Sequence, residues 1–155
     1  MLGPSWWLLY TFVGVWAQHF FPGMDFLAPG LLVSLQEERR GNIIWLTVSW
    51  ILLQEGMGSL FFGSTLLWYG CLILAFHLGR GLFSSTSVTL MCLLGAFLGA
   101  LHFLFTLMIM RLEVMAFPFE RVLFEAVLQA ALTPILWWVA HQLYPRRLRS
   151  DERSV

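Results

Sequence analysis

The sequence has little charge, no lysine and only two cysteines. Charged residues make up 12% of its 155 positions, and all nine basic residues are arginines. Soluble domains carry about 25% charged residues, so this composition excludes a soluble enzyme or binding domain and a disordered chain. A net charge of zero also argues against nucleic-acid binding. The cysteines stand alone in apolar runs, so they predict no disulfide framework and no CxxC site.

Long uncharged apolar runs fill the rest of the chain, and hydrophobic residues reach 59%. A helix needs about 20 mainly apolar residues to cross a membrane, and these runs lack the alternation of barrel strands. We therefore predict an all-α, polytopic integral membrane bundle of five to six transmembrane helices. It forms a single domain over residues 1–145, followed by a short basic cytoplasmic tail over 146–155. The uncharged runs are 1–24, 26–36, 41–54, 56–79, 81–110 and 126–145.

Breaks at glycine, proline and charged clusters divide these runs into six segments. The first has no basic region before it and no small-residue cleavage site after it, so we expect a retained helix rather than a signal peptide. We expect N-caps for the fifth helix among residues 84–87, a loop over 111–121 and a kink at Pro134. The predicted segments are Pro4–Phe21, Phe26–Gln36, Asn42–Gln54, Leu60–Leu78, a fifth ending near Met110, and Val122–Leu143.

The second segment leaves the number of crossings open. Eleven residues at 1.5 Å each reach only about 16 Å, half the hydrocarbon thickness, which suits a half-helix, a tilted span or a re-entrant piece. Arginines concentrate in the tail and in the turns at Arg39, Arg40 and Arg80, which places those turns and the C-terminus in the cytoplasm. The uncharged N-terminal stretch does not decide between five and six crossings.

Several polar residues map to the opposite, outer side. Glu55 stands alone between uncharged runs, near Ser59, and either sits in the headgroup layer or lines a polar pocket. Arg121 and Glu125 have the i,i+4 spacing of a helical pair, and Gln129 lies one turn deeper on the same face. We therefore hypothesise a polar outer vestibule, or a partner contact, formed by these residues; a purely structural pair is the alternative.

Small residues mark one stretch of the fifth helix. Gly95 and Gly99 form a GxxxG pattern, with Ala96 and Ala100 beside them. Such spacing lets helix backbones approach closely. Packing inside the bundle is the simpler interpretation, and a homo-oligomer contact or a partner groove is the alternative.

Catalytic and metal-binding patterns are missing from the sequence. It has no HExxH, GxSxG or Walker motif. Its histidines do not pair well. His19 and His102 differ in level by about one and a half turns, and His77 and His141 share an inner level without acidic or cysteine company. We therefore predict no catalytic residues, no metal and no cofactor.

The order of elements resembles the bacterial rod shape-determining protein MreD family. The resemblance covers nearly the whole chain. A long helix is followed by a short proline-containing segment, a charged turn and an acidic, glycine-rich break. The corresponding residues are 26–32 (FLAPGLL), 37–41 (EERRG) and 54–63 (QEGMGSLFFG). Family members usually carry an aspartate and a GSPLG-like run at the break, where this chain has Glu55 and SLFFG, and Gly30 follows Pro29 where the family has an acidic residue.

This resemblance implies a non-enzymatic subunit of the cell-elongation and peptidoglycan-synthesis machinery in the bacterial inner membrane. Its implied partners are membrane lipids, an MreC-like bitopic protein and, through it, peptidoglycan synthases, with no nucleic acid. The same layout is similar to substrate-binding subunits of energy-coupling-factor vitamin transporters. In that alternative, Glu55, Arg121 and Glu125 belong to an outward-facing pocket, and the small-residue face at 95–100 docks the coupling subunit.

Overall fold

A computed structural model describes residues 2–37, 40–57, 63–84, 86–113 and 118–145, and every regular element in those ranges is an α-helix. Apolar side chains interrupted by turn-forming glycine, proline and serine account for this pattern. The predicted tail lies outside the described residues. The helices are α1 (Leu2–Phe20), α2 (Ala28–Glu37), α3 (Arg40–Met57), α4 (Ser64–Arg80), α5 (Val88–Glu113) and α6 (Phe119–Leu143).

The chain runs up and down the bundle between two ends. At the lower end, the Trp6 indole donates to the Leu143 carbonyl (3.2 Å), so the start of α1 adjoins the end of α6. At the upper end, the rings of Phe103 and Phe119 lie 5.7 Å apart, where α5 meets the start of α6. Both described termini therefore lie at the lower end.

Helix α2 is the short segment, and it lies inside the bundle. Its residues 28–35 are all buried, and it contacts α3, α4 and α6. Ten residues reach about 15 Å, so α2 is a half-helix that begins partway down and continues to the lower end. Gly30 of α2 lies against the Tyr10 ring, and Gly14 of α1 lies against Leu27, so the missing side chains leave room for these two contacts of α1.

The lower end is held by aromatic and polar contacts. Tyr144 is buried against Trp6 and Trp7. His141 Nε2 lies 3.2 Å from Glu37 Oε1. The expectation that His141 lacks acidic company was therefore wrong, because α2 brings Glu37 beside α6 from 104 residues away.

The helix ends differ from prediction by a few residues. The expected loop over 111–121 is shorter, since α5 continues to Glu113 and α6 begins at Phe119. Pro134 lies inside α6, as expected. The Ser87 hydroxyl accepts from the Leu90 amide (3.2 Å), which confirms an N-cap for α5 in the predicted serine cluster. The predicted start of the fourth helix at Leu60 lies outside the described residues.

Two helices are long and apolar enough to cross a membrane, α5 over Val88–Met108 and α6 over Phe119–Leu143. Both carry large apolar side chains on the outside of the bundle, such as Leu104 and Phe124. The other helices are shorter or more polar: α3, for example, begins with Arg40 and ends near Glu55. These two helices point to a membrane protein.

Candidate functional site

A cavity of about 1010 Å³ lies at the upper end of the bundle. Helices α1, α3, α4, α5 and α6 all contribute to its wall, together with the α1–α2 connection. Ligand pockets typically measure about 300–1,000 Å³, so the space is large enough for a small molecule. We call it the upper cavity.

Asp25, from the α1–α2 connection, is the most extensively hydrogen-bonded side chain in its wall. Its Oδ1 accepts from the backbone amides of Leu27 (2.9 Å) and Ala28 (3.1 Å). This is the N-cap arrangement, in which a short acidic side chain satisfies the free amides at a helix start. Asp25 thereby fixes the beginning of α2, which has no other polar side chain in its first turn.

Side chains from three other helices converge on the same carboxylate. Its Oδ1 also accepts from Gln18 (3.3 Å) of α1, Gln54 (3.2 Å) of α3 and the Tyr69 hydroxyl (3.4 Å) of α4. Its Oδ2 accepts from the Trp68 indole (2.9 Å). All of these donors are neutral, and each hydrogen bond offsets part of the cost of burying the carboxyl group.

Gln129, from α6, holds the backbone of Asp25. Its side-chain oxygen accepts from the Asp25 amide (3.1 Å), and its amide nitrogen donates to the Asp25 carbonyl (3.4 Å). Gln129 is only 3% exposed, and a buried amide needs such partners. Asp25 therefore joins all the helices of the upper end except α5.

Helix α5 contributes His102, Phe105 and Thr106 to the wall of the upper cavity. The His102 Nε2 lies 3.6 Å from Glu125 Oε2 and makes no hydrogen bond to the described residues. Glu125 Oε1 in turn accepts from Arg121 Nε (2.9 Å). Gly23, with φ +93°, lies where a Cβ would come 3.2 Å from Glu125 Oε2, so only glycine combines this backbone turn with so close an approach.

Aromatic rings form the apolar part of the wall. Trp16, Trp68 and Phe105 all line the upper cavity. The rings of Trp68 and Phe105 lie 6.1 Å apart, and those of Trp68 and His102 lie 6.4 Å apart. The wall thus combines two carboxyl groups, the imidazoles of His19 and His102, and flat apolar surface.

The predicted vestibule residues fall into separate places. Glu125 lines the upper cavity, and Arg121 and Gln129 contact its wall residues. Glu55 instead accepts from the backbone amides of Gly63 (2.8 Å) and Thr65 (2.9 Å), and so caps α4. Ser59 lies outside the described residues.

The small-residue stretch of α5 has two faces. Gly95 and Gly99 are buried against α6, where an added Cβ would come 2.6 Å from the carbonyl oxygens of Ala130 and Ala126 respectively. Ala96 and Ala100 are exposed on the outside of the bundle. The glycines therefore pack inside this chain, and the alanines face outward.

Sequence reasoning missed Asp25 and most of its partners. A signal was present: Asp25 is the only charged residue in the first 36, it follows Pro22–Gly23, and it precedes an apolar run. This is the pattern of a helix N-cap. Trp68 and Tyr69 gave no such signal, because their hydrogen bonds join residues 43 and 44 positions apart.

The wall can bind groups that donate hydrogen bonds. Within the described residues, no three histidine, cysteine or acidic side chains converge as a metal site. The chain matches no protein-family model, no curated protein and no solved structure.

Proposed function

We propose that this chain is a multi-pass subunit of the bacterial inner membrane, of the MreD type, that scaffolds the cell-elongation machinery. In this proposal all six helices lie in the membrane and the lower end, with both termini, faces the cytoplasm. Its partners are an MreC-like bitopic protein and, through it, peptidoglycan synthases.

The course of α2 carries the proposal. The resemblance depends on a short proline-containing segment between a long helix and a charged turn, and α2 is a half-helix at that position. Its N-cap, Asp25, is bonded to Gln54, next to the acidic break at Glu55. The elements that carry the resemblance are thus neighbours in space, which supports a shared architecture.

The exposed alanines of α5 are the proposed partner contact. Ala96 and Ala100 lie one turn apart on the outer face, and small residues allow another transmembrane helix to approach. A bitopic partner contributes one such helix. We therefore expect its transmembrane helix to lie along this face.

A second candidate function is a substrate-binding subunit of an energy-coupling-factor-type transporter. The upper cavity is the specific observation that favours it, because a polar space of about 1010 Å³ suits a small solute. In this alternative the alanine face docks the coupling subunit.

Affinity purification of the tagged chain in mild detergent, followed by mass spectrometry, tests both candidates. An MreC-like protein together with a transpeptidase is the result expected for the scaffold. An ATPase pair with a coupling membrane protein would replace the scaffold by the transporter subunit.

Two variants locate the contact. Ala96→Leu combined with Ala100→Leu should reduce the amount of partner that co-purifies, because the added side chains fill the space in which the partner helix would lie. Ala131→Leu makes the same change at an exposed position of α6 and should leave recovery unchanged. Equal recovery from both variants would exclude the alanine face as the contact.

A further inference from the structure

The described residues place no basic side chain against the Asp25 carboxyl group. Its carboxylate has only neutral donors around it, and the ion pairs among the described residues involve Glu125 and Glu37 instead. A charge removed from water is costly unless it is paired and hydrogen-bonded. The neutral donors offset part of this desolvation cost, and a positively charged group would offset more of it.

The two oxygens of Asp25 differ in how fully they are used. Oδ1 accepts from two backbone amides and three side chains, whereas the described residues give Oδ2 only the Trp68 indole. A carboxylate oxygen has about two lone-pair positions, so Oδ2 retains one. Asp25 is one of the residues that line the upper cavity.

Two further acceptors lie in the same wall. Glu125 pairs through Oε1 with Arg121 Nε (2.9 Å), and its Oε2 lies 3.6 Å from His102 Nε2, which is buried without a hydrogen bond to the described residues. Trp68 connects the two sides, since its indole bonds Asp25 and its ring packs on His102. Gly23, two residues before Asp25, lies against Glu125. Asp25, His102 and Glu125 therefore belong to the wall of the same cavity.

From these contacts we propose that the upper cavity binds a primary ammonium group carrying an apolar or aromatic body. The N–H donors of an ammonium match the free position on Asp25 Oδ2 and the Glu125 Oε2 oxygen. Trp16, Trp68 and Phe105 provide flat surface for the body and for cation–π attraction. This site goes beyond the scaffold proposal and is independent of the partner.

A primary ammonium can come from a water-soluble amine or from the headgroup of phosphatidylethanolamine. The binding chemistry is the same for both. The tests below therefore measure ammonium binding first and its source second.

The first experiment measures equilibrium binding of tritiated 2-phenylethylamine to the full chain in dodecylmaltoside. We expect saturable binding, and binding of 2-phenylethanol, its neutral analogue, weaker by about tenfold or more, as for loss of a charge-assisted hydrogen bond. This comparison needs no variant. Equal affinity for the amine and the alcohol would overturn the proposal.

Substitutions then assign the site. Asp25→Asn keeps an oxygen for the α2 cap but removes the charge, so amine binding should fall by about tenfold or more. Glu125→Gln should also weaken amine binding, and this variant tests the site if Asp25→Asn fails to fold. Glu55→Gln removes a carboxylate that caps α4 and should bind as the wild type does. Unchanged binding by both Asp25→Asn and Glu125→Gln would contradict the proposal.

Competition identifies the source. In nanodiscs of phosphatidylglycerol the amine should bind, and adding phosphatidylethanolamine to the discs should displace it if the headgroup is the natural occupant. If phenylethylamine binds with equal affinity in the presence of phosphatidylethanolamine, a water-soluble amine is supported as the natural occupant. Loss of amine binding in phosphatidylglycerol discs, with the chain folded, would count against the site in a membrane.

Discussion

At the scale of single residues, Asp25 links the sequence to the architecture of the upper end. It caps α2 through two backbone amides and receives side-chain donors from α1, α3 and α4. A buried network of this kind stabilises the fold only when every member is satisfied. Removing its central acceptor therefore affects four helices at once.

We expect Asp25→Ala to lower the free energy of unfolding by about 2–4 kcal/mol, because a lost N-cap costs about 1 kcal/mol and a buried unsatisfied donor about 1–3 kcal/mol. Asp25→Asn keeps one acceptor oxygen and should lose less. Unfolding in mixed dodecylmaltoside and SDS micelles, followed by tryptophan fluorescence, measures both. Wild-type stability of Asp25→Ala would show that the network adds nothing.

The capping role of Glu55 predicts a local effect at the start of α4. Because its carboxylate accepts from Gly63 and Thr65, Glu55→Ala should speed amide hydrogen exchange in the first turn of α4. Exchange in α6 should not change. Glu120→Ala, which alters an exposed glutamate at the start of α6, is the control and should leave α4 protected. Equal protection of α4 in all three proteins would refute the capping role.

At the scale of elements, the α5–α6 contact depends on two glycines. An added Cβ at either position would come 2.6 Å from a carbonyl oxygen of α6, and a backbone atom cannot rotate away. We expect Gly95→Ala and Gly99→Ala each to destabilise the protein by about 1–3 kcal/mol, the usual cost of overpacking.

Gly70→Ala is the matched control for these substitutions. Gly70 lies within α4 with no atom within 4 Å of its added Cβ, and alanine favours a helix by up to about 1 kcal/mol. The melting temperature of Gly70→Ala should equal or exceed that of the wild type, whereas the melting temperatures of Gly95→Ala and Gly99→Ala should fall. A similar drop in all three would attribute the loss to helix geometry rather than to the contact with α6.

The helices themselves could be predicted from the sequence because apolar runs and their breaks are local features. Six segments were expected and six helices are described, with ends displaced by a few residues. The burial of α2 could not be predicted, since its length fitted three arrangements equally well. The long-range contacts that decide between them, such as Asp25 with Gln129, join residues 104 positions apart.

The candidate site could be predicted only in part, for the same reason. Glu125 and Gln129 were named from their spacing on one helix, and both adjoin the upper cavity wall. Glu55 has the same chemistry and lies at the same end, but α4 begins beside it and uses its carboxylate as a cap. A lone acidic residue in an apolar sequence therefore indicates that its carboxylate needs hydrogen-bond donors. It does not indicate which groups donate.

At the scale of the whole molecule, the positions of the two chain termini allow the membrane topology to be tested. The start of α1 contacts the end of α6, so the N-terminus and the C-terminal tail are expected on one side. In the proposed arrangement, the arginines of the turns and the tail predict that this side is the cytoplasm. In that proposal α2, although only half the length of a span, completes the second of six crossings.

Single cysteines in a chain lacking Cys71 and Cys92 test this arrangement. In intact spheroplasts, Glu120→Cys at the upper end should react with a membrane-impermeant maleimide, whereas Gly3→Cys and Gly81→Cys should react only after permeabilisation. Both Glu120 and Gly81 are exposed, so a difference between them reports the side and not burial. Labelling of Gly3→Cys from outside would place the N-terminus opposite the C-terminus, which is incompatible with the contact between Trp6 and Leu143.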